Sequence, residues 1–196
     1  MKSIIIIIVS FLLLNEDEKQ PYRLVEEDAG ASCFNYSVID EKEKTVKLPK
    51  HIRNGLECPY SIGLNGNFLT YVDDLRVKLY NLDTKEDFLL FTLYDDIDGF
   101  SAPAWSNDGI QLAFVVVNQE QNHGYTSFCR IIYCELNMDG SLLKKRKFDR
   151  PVNYECGSIC TSDPGSDFMF EPSGQLIYKH HLMYTDGDEL WEVLEL

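Results

Sequence analysis

The stretch Ala102-Pro-Ala-Trp-Ser-Asn-Asp-Gly-Ile-Gln-Leu-Ala-Phe114 decides the fold. At its centre is an Asn-Asp-Gly turn, and beyond the turn Leu112 and Phe114 lie on one face of an extended segment. Glycine supplies the positive φ that a tight hairpin turn needs, and alternating side chains bury one face of a strand. The stretch therefore predicts a hairpin turn that leads into a half-buried β-strand.

This turn-strand element occurs three times in the chain, as Leu64-Asn-Gly-Asn-Phe-Leu-Thr-Tyr71, as Ser106 to Phe114 and as Pro172-Ser-Gly-Gln-Leu-Ile-Tyr178. The first two turn glycines are 43 residues apart, which matches a four-stranded propeller blade of about 40–45 residues. The next interval is 65 residues. Polar loops at 118–125 and 156–167 account for its extra length.

Outside these elements, short runs of β-branched and aromatic residues alternate with turn dipeptides, and helical periodicity is almost absent. The chain is therefore predicted to be all-β. The predicted strands are Phe34 to Ile39, Thr45 to Leu48, Phe68 to Val72, Val77 to Leu82, Phe88 to Tyr94, Gln111 to Val117, Ser127 to Leu136, Gln175 to Tyr178 and Leu190 to Leu194.

The central stretch, together with Leu136-Asn-Met-Asp-Gly-Ser141, resembles the TolB-like β-propeller repeat, in which a Pro-x-Trp-Ser-x-Asp-Gly element opens each blade. The outer copies match less fully, because neither contains the Trp. The resemblance covers roughly 58–196 and implies blades of four antiparallel strands. The predicted division of the chain is a signal peptide or anchor at 1–15, N-terminal strands at 16–57, for which part of a preceding blade is one interpretation, and TolB-like repeats at 58–196.

The blade count departs from this family. A closed propeller needs about four to eight blades, whereas the chain holds about three to three and a half. Three alternatives follow: a fragment of a longer propeller, an open stack of blades, or self-association that completes the ring. Each alternative leaves unpaired strand edges that attract partners.

The N-terminus begins Met1-Lys2-Ser3, continues with an apolar run from Ile4 to Leu14 that only Ser10 interrupts, and then turns acidic. A positive start followed by a short apolar segment is typical of a secretory signal peptide. The chain is therefore expected to be periplasmic or secreted. An uncleaved membrane anchor is an alternative, since no small-x-small cleavage site follows; a buried first strand is another.

Six cysteines are present, an even number that suits an oxidising compartment and permits fifteen pairings. Cys129 and Cys134 are separated by an odd number of strand positions, so they should lie on opposite faces and not pair with each other. Cys156 and Cys160 lie close enough in a loop to pair. Alternatively, several of the six are small buried hydrophobes. Their spacing does not fit structural zinc.

The formal net charge of -14 argues against nucleic acid as a partner, because phosphate backbones are bound by clustered Lys and Arg. The single basic run, Lys144-Lys145-Arg146-Lys147, is interpreted as an exposed strand edge or turn, where charge prevents mispairing.

Catalytic and metal-binding motifs are not found in the sequence. Acidic segments at 95–99 and 186–189 do not fit a calcium loop, and no Gly-x-Ser-x-Gly elbow or zinc-protease spacing is present. The four histidines are interpreted as core or loop residues, with His180 and His181 at a strand end. The sequence thus predicts no catalytic, cofactor-binding or metal-binding residue and no cofactor.

The functional expectation is an exported, non-enzymatic propeller module that binds or scaffolds a protein, peptide or glycan in the cell envelope. The membrane is a partner only if the leader is an uncleaved anchor. The main alternative is the detached propeller portion of a prolyl-oligopeptidase-like or other hydrolase; a glycan hydrolase or lyase is a third. Structural roles are predicted for Pro103, Trp105, Asp108 and Gly109, with Trp105 packed between neighbouring blades.

Overall fold

The computed structural model describes residues 20–30, 33–56, 62–94, 97, 99–119, 127–156, 160–180 and 191–196. In this part of the chain nearly all regular structure is β-strand, arranged in five antiparallel sheets. The predicted all-β class is confirmed.

The N-terminal part is a hairpin followed by a short helix. Strand β1 (Tyr22–Gly30) pairs with β2 (Cys33–Asp40), and helix α1 (Lys50–Gly55) follows. The predicted strand Thr45 to Leu48 is wrong: only Thr45 forms an isolated bridge, with Ile39. The segment leads directly into Pro49, which lacks the N–H that a ladder needs and precedes the first helical turn.

The first complete blade has four strands in sequential order. They are β3 (Gly63–Asn65), β4 (Phe68–Asp73), β5 (Arg76–Asn81) and β6 (Asp87–Thr92). Each strand is antiparallel to the next, as the short turns between them require.

The second blade has the same plan, with its inner strand in two pieces. Strands β7 (Gly99–Phe100) and β8 (Ala104–Trp105) both pair with β9 (Gln111–Gln119), which is followed by β10 (Ser127–Leu136) and β11 (Leu142–Asp149). Ser101 lies between the two pieces, where its Oγ accepts a hydrogen bond from the Val115 N–H at 2.9 Å.

The third blade has three strands among the described residues. A small hairpin, β12 (Glu155–Cys156) with β13 (Cys160–Thr161), precedes it. The blade itself contains β14 (Phe168–Phe170), β15 (Leu176–Lys179) and β16 (Trp191–Val193), in that order. Two four-stranded blades and this third sheet make an incomplete propeller, as predicted.

The hydrophobic cores lie between successive sheets. Strand β9 is buried on both faces: Phe114 belongs to the core shared with the first blade, and Val115 to the core shared with the third. A separate core joins α1 and the N-terminal hairpin to the outer side of the first blade, around Ile52 and Tyr71. The blades are therefore held face to face by apolar packing.

The two cysteines of β10 lie as the strand period predicts. Cys129 is buried in the core toward the third blade and Cys134 in the core toward the first, and both are free thiols. Cys156 and Cys160 are register partners across the β12–β13 hairpin. Cys58 lies outside the described residues.

Candidate ligand-binding cleft

The turn of each repeat has the backbone conformation that its glycine was predicted to supply. Gly66, Gly109 and Gly174 have φ values of 57°, 71° and 85°. In the second blade the Asp108 carboxylate closes the turn, because its Oδ1 accepts hydrogen bonds from Ser106 Oγ at 2.6 Å and from the Ile110 N–H at 3.2 Å. The predicted structural roles of Asp108 and Gly109 are confirmed.

The turns of the first two blades lie side by side. A Cβ added at Gly109 would be 3.3 Å from Asn65 Nδ2, so the Asn65 amide lies against the backbone of the neighbouring turn. The cleft between them has a volume of about 570 Å³, within the usual range of roughly 300–1,000 Å³ for ligand sites. We call it the turn cleft; it is lined by 65–68, 107–110, Gln20, Pro21 and Met138.

Some of the side-chain amides in the turn cleft are already used by the fold. Gln20 Oε1 accepts a hydrogen bond from the Gly66 N–H at 2.8 Å, and Asn67 Nδ2 donates to Asn81 Oδ1 and Asp83 Oδ2, each at 3.2 Å. By contrast, no described residue is a hydrogen-bond partner of the Asn65 or Asn107 side chain. Each therefore has donors and an acceptor available to a ligand.

The rim of the turn cleft includes the turn between β10 and β11. Asn81 Nδ2 donates to the Asp139 carbonyl at 2.8 Å, which ties this turn to the first blade. The hydrogen bonds that Ser141 donates to Asp139 lower the pKa of that carboxyl below its usual value. Met138, in the same turn, is 84% exposed and adds an apolar surface at the rim.

Aromatic packing fixes the floor of the cleft. The rings of Phe68 and Trp105 stack with 6.3 Å between centroids and 7° between planes, and a Cβ added at Gly63 would be 2.6 Å from Pro103. These contacts join the first and second blades, which confirms the predicted inter-blade role of Trp105. The Trp105 Nε1 is buried and has no hydrogen-bond partner among the described residues.

The basic run forms the outer strand of the second blade, as one of its two interpretations predicted. In β11 the ammonium of Lys147 lies 5.2 Å from the Phe91 ring centroid and 5.7 Å from that of Tyr94. Lys145 lies 5.6 Å from Phe91 and also donates to the Leu90 carbonyl at 3.0 Å. The run thus includes cation–π contacts to the first blade.

A second polar cluster lies on the outer side of the first blade. Asp87 accepts a hydrogen bond from the Tyr71 hydroxyl at 2.7 Å and contacts His51 Nε2 at 2.9 Å. Burial, and then the Asp87 carboxylate, raise the pKa of Tyr71 well above its usual value. The cluster attaches α1, which carries His51, to β6, whereas the sequence had indicated only a core or loop role for His51.

The other sequence candidates give no ligand set. Asp95, Asp96, Asp98, 181–190 and His123 lie outside the described residues. Val152 and His180 form a bridge just after β15, which confirms His180 at a strand end. Within the described ranges, no three His, Cys, Asp or Glu side chains lie close enough together to hold a metal ion, and no helix is long and apolar enough to span a membrane.

The turn cleft was not predicted from the sequence, because its walls come from turns about 40 residues apart in the chain. A signal for it exists in hindsight. Asparagine flanks the turn glycines of the first two repeats, at Asn65, Asn67 and Asn107. Because asparagine tolerates turn conformations, each of these three asparagines is already explained by its own turn. The sequence alone therefore does not show that they share a site.

Comparisons with known proteins support the fold. An oligogalacturonate lyase, solved in complex with manganese, matches with a TM-score of 0.54 at 13% identity, over 89% of this chain and 46% of that one. A glucose dehydrogenase matches with a TM-score of 0.39 at 16% identity, over 64% of this chain and 38% of that one. Hydrazine synthase of Kuenenia stuttgartiensis matches with a TM-score of 0.31 at 11% identity, over 74% of this chain and 49% of that one.

This chain spans less than half the length of the solved structures it matches. No family model and no curated protein matches it. The likeness to the lyase, at 13% identity, shows the fold alone, a propeller-like arrangement of antiparallel sheets.

The expectation that the chain is not an enzyme is contradicted, because the solved structure that matches 89% of this chain is a lyase. The expectation rested on missing sequence motifs. Catalytic groups on a propeller can come from loops far apart in the sequence, so the absence of a local motif does not exclude catalysis.

Proposed function

We propose that this chain is an exported TolB-like propeller module that binds a small polar ligand in the turn cleft. The observation that carries the proposal is the pair of Asn65 and Asn107 side chains, which line one cleft and have no hydrogen-bond partner among the described residues. Ligand sites characteristically combine a concave, partly apolar wall with a few convergent polar groups.

The cleft is also built on rigid elements. Its two turns end strands that are paired on the inner edges of adjacent blades, and the Phe68–Trp105 stack fixes the distance between them. Because the turns that carry the two amides are held in place before the ligand arrives, little backbone entropy is lost on binding. A preformed cleft of this kind supports ligand binding without a large rearrangement.

Occlusion of the cleft tests the proposal. The Asn107→Trp variant should fill it with a large ring, whereas Gln175→Trp introduces the same ring into the corresponding turn of the third blade. A ligand found by thermal-shift screening of defined peptides and oligosaccharides should raise the Tm of the parent and of Gln175→Trp, but not that of Asn107→Trp. Equal shifts in all three proteins would place binding elsewhere.

A second candidate is that the chain is the propeller portion of an enzyme. The match to a lyase, of which it spans 46%, favours this candidate. Its test is product formation: the purified protein is incubated with oligogalacturonate and with neutral oligosaccharides, and new chain ends are measured by chromatography. Cleavage of a substrate that is abolished by a single Asp or Glu substitution would establish this enzymatic function. If all the oligosaccharides remain intact, the enzymatic function is excluded for these sugars.

The proposed location is the cell envelope or the exterior. It rests on the charged start and apolar run of the leader. Sequencing the N-terminus of the protein recovered from the periplasm or medium should find a start beyond residue 15. Recovery only from the cytoplasm, with Met1 retained, would contradict export.

A further inference from the structure

We infer that the ligand of the turn cleft is an uncharged oligosaccharide, recognised through the Asn65 and Asn107 amides. This inference rests on the proposed function and names its ligand class. It follows from three features of the cleft: its charge, the chemistry of its free polar groups, and the location of most described lining residues in turns rather than along a strand.

The charge of the residues that line the cleft argues against an acidic ligand. Among the described lining residues Asp108 is the only ionisable one, and none is Lys or Arg. The whole chain carries a formal net charge of -14. Phosphates and carboxylates are bound by Arg or Lys, most specifically through two parallel hydrogen bonds. An oligogalacturonate, with a carboxylate on every residue, would meet only acidic or neutral groups here.

Cationic ligands are also poorly matched, because Asp108 is a single carboxylate and one of its oxygens is already used within the turn. Both Ser106 Oγ and the Ile110 N–H donate to the same Asp108 oxygen, Oδ1. No second acid is present among the described lining residues to share a positive charge. The remaining polar groups are neutral, so a neutral ligand fits best.

The free amides match hydroxyl groups. A side-chain amide offers two donors on nitrogen and an acceptor on oxygen, and a hydroxyl donates one hydrogen bond and accepts others. Asn65 and Asn107 belong to neighbouring turns, so one sugar chain can contact both. Ile110 and the exposed Met138 provide apolar surface for the C–H face of a sugar ring.

The recurring modes of peptide recognition do not fit this cleft. Strand addition needs an exposed sheet edge, but the lining residues belong mainly to turns. Proline-rich segments need a groove lined by aromatic rings, and phosphopeptides need an Arg cluster. Phe68 is the single aromatic residue among the described lining residues and is only 7% exposed. An oligosaccharide remains the ligand that the cleft can recognise.

The test uses the full chain and isothermal titration calorimetry. The probes are neutral oligosaccharides of glucose, xylose, mannose and galactose, together with oligogalacturonate and a set of synthetic peptides of defined sequence. The variant is Asn65→Ala/Asn107→Ala, and the matched control is Gln175→Ala, an exposed amide in the equivalent turn of the third blade. The Tm of each variant should match that of the parent, since neither asparagine side chain bonds within the described fold.

The expected result is binding of at least one neutral oligosaccharide, with Kd at least about tenfold weaker in the double asparagine variant and unchanged in the control. If the double variant binds a neutral oligosaccharide with the same Kd as the parent, the assignment of the two amides as its recognition groups is wrong. Binding of oligogalacturonate or a peptide alone, blocked by Asn107→Trp, would overturn the inference and leave the proposed function standing. Binding of none of the probes would overturn both.

Discussion

The indole side chain of Trp105 joins the first and second blades. It lies in β8, at the inner edge of the second blade, and stacks on Phe68 of the first. We expect Trp105→Ala to lower the free energy of unfolding by about 3 kcal/mol, the lower end of the range for truncating a large core aromatic residue, since the ring is only partly buried. Urea unfolding monitored by circular dichroism measures this change.

The control for this prediction is Trp105→Phe. Phenylalanine keeps a ring against Phe68 and removes an indole N–H that has no partner among the described residues, so the loss should be below about 1.5 kcal/mol. If Trp105→Ala unfolds at the same urea concentration as the parent, the stack does not hold the blades together.

The buried thiols predict a loss of stability at alkaline pH. Burial raises the pKa of Cys129 and of Cys134 to about 12, against an ordinary value of 9.0. Below about pH 9 the thiols keep their protons in both the folded and the unfolded state, so they contribute no pH dependence to the free energy of unfolding there. Between about pH 9 and 12 the unfolded chain releases them first, and stability should fall by up to about 1.4 kcal/mol per pH unit for each thiol.

This loss is measured by urea unfolding at a series of pH values from about 8 to 11. Tyr178, whose pKa burial and Glu192 raise to about 12, adds to the same fall. The Cys129→Ala/Cys134→Ala variant should therefore show a shallower decline than the parent, although it is less stable at neutral pH. An identical slope in both proteins would mean that the thiols ionise equally in the folded and unfolded states.

At the scale of elements, β11 shows how a charged strand can hold two blades together. Lys147 lies over Phe91, in the outer strand β6 of the first blade, and over Tyr94 just after that strand. We expect Lys147→Gln to lower the free energy of unfolding by about 0.5–1 kcal/mol, the usual value of an exposed cation–π contact. Lys144, an exposed residue of the same strand with no such ring contact among the described residues, provides the control Lys144→Gln.

Chemical denaturation of both lysine variants at low and high salt distinguishes a ring contact from general charge. A ring contact predicts a loss in Lys147→Gln alone. If both variants lose the same stability, the cause is the removal of a positive charge from an acidic protein and the contact contributes nothing.

The elements that the sequence predicted were those with a strong local pattern. The run Leu112 to Val117 is apolar throughout and is buried on both faces, so its strand is visible without tertiary information. Strand β1 was missed because half of its central residues are acidic, which hides a strand that is partly exposed. The six-residue helix α1 is too short to show a helical period.

The candidate site was less predictable than the fold, for a physical reason. A turn is specified by a few adjacent residues, and the sequence predicted all three turn glycines correctly. The turn cleft depends instead on how one blade rotates against the next, and that is set by many small packing contacts such as the close approach of Pro103 to Gly63. No single residue encodes it.

At the scale of the whole molecule, the third sheet has one strand fewer than the first among the described residues. Strand β16 pairs with β15 on one side, and no described strand pairs with its other side. Its Val193 is 52% exposed. An unpaired strand edge with exposed apolar side chains favours addition of a strand from another chain. We therefore expect the protein to self-associate through β16, in a concentration-dependent way that light scattering can follow.

Substitution at the edge tests this assignment, because a charged side chain on an edge strand opposes strand addition. Val193→Lys should shift the protein toward monomer at every concentration. Leu75→Lys is the matched control: Leu75 is 42% exposed in the turn between β4 and β5, so the variant removes a similar apolar surface without placing a charge on an edge strand. Equal dissociation by both variants would indicate general hydrophobic association, and a parent protein that is monomeric throughout would show that the third sheet is stable with its edge open.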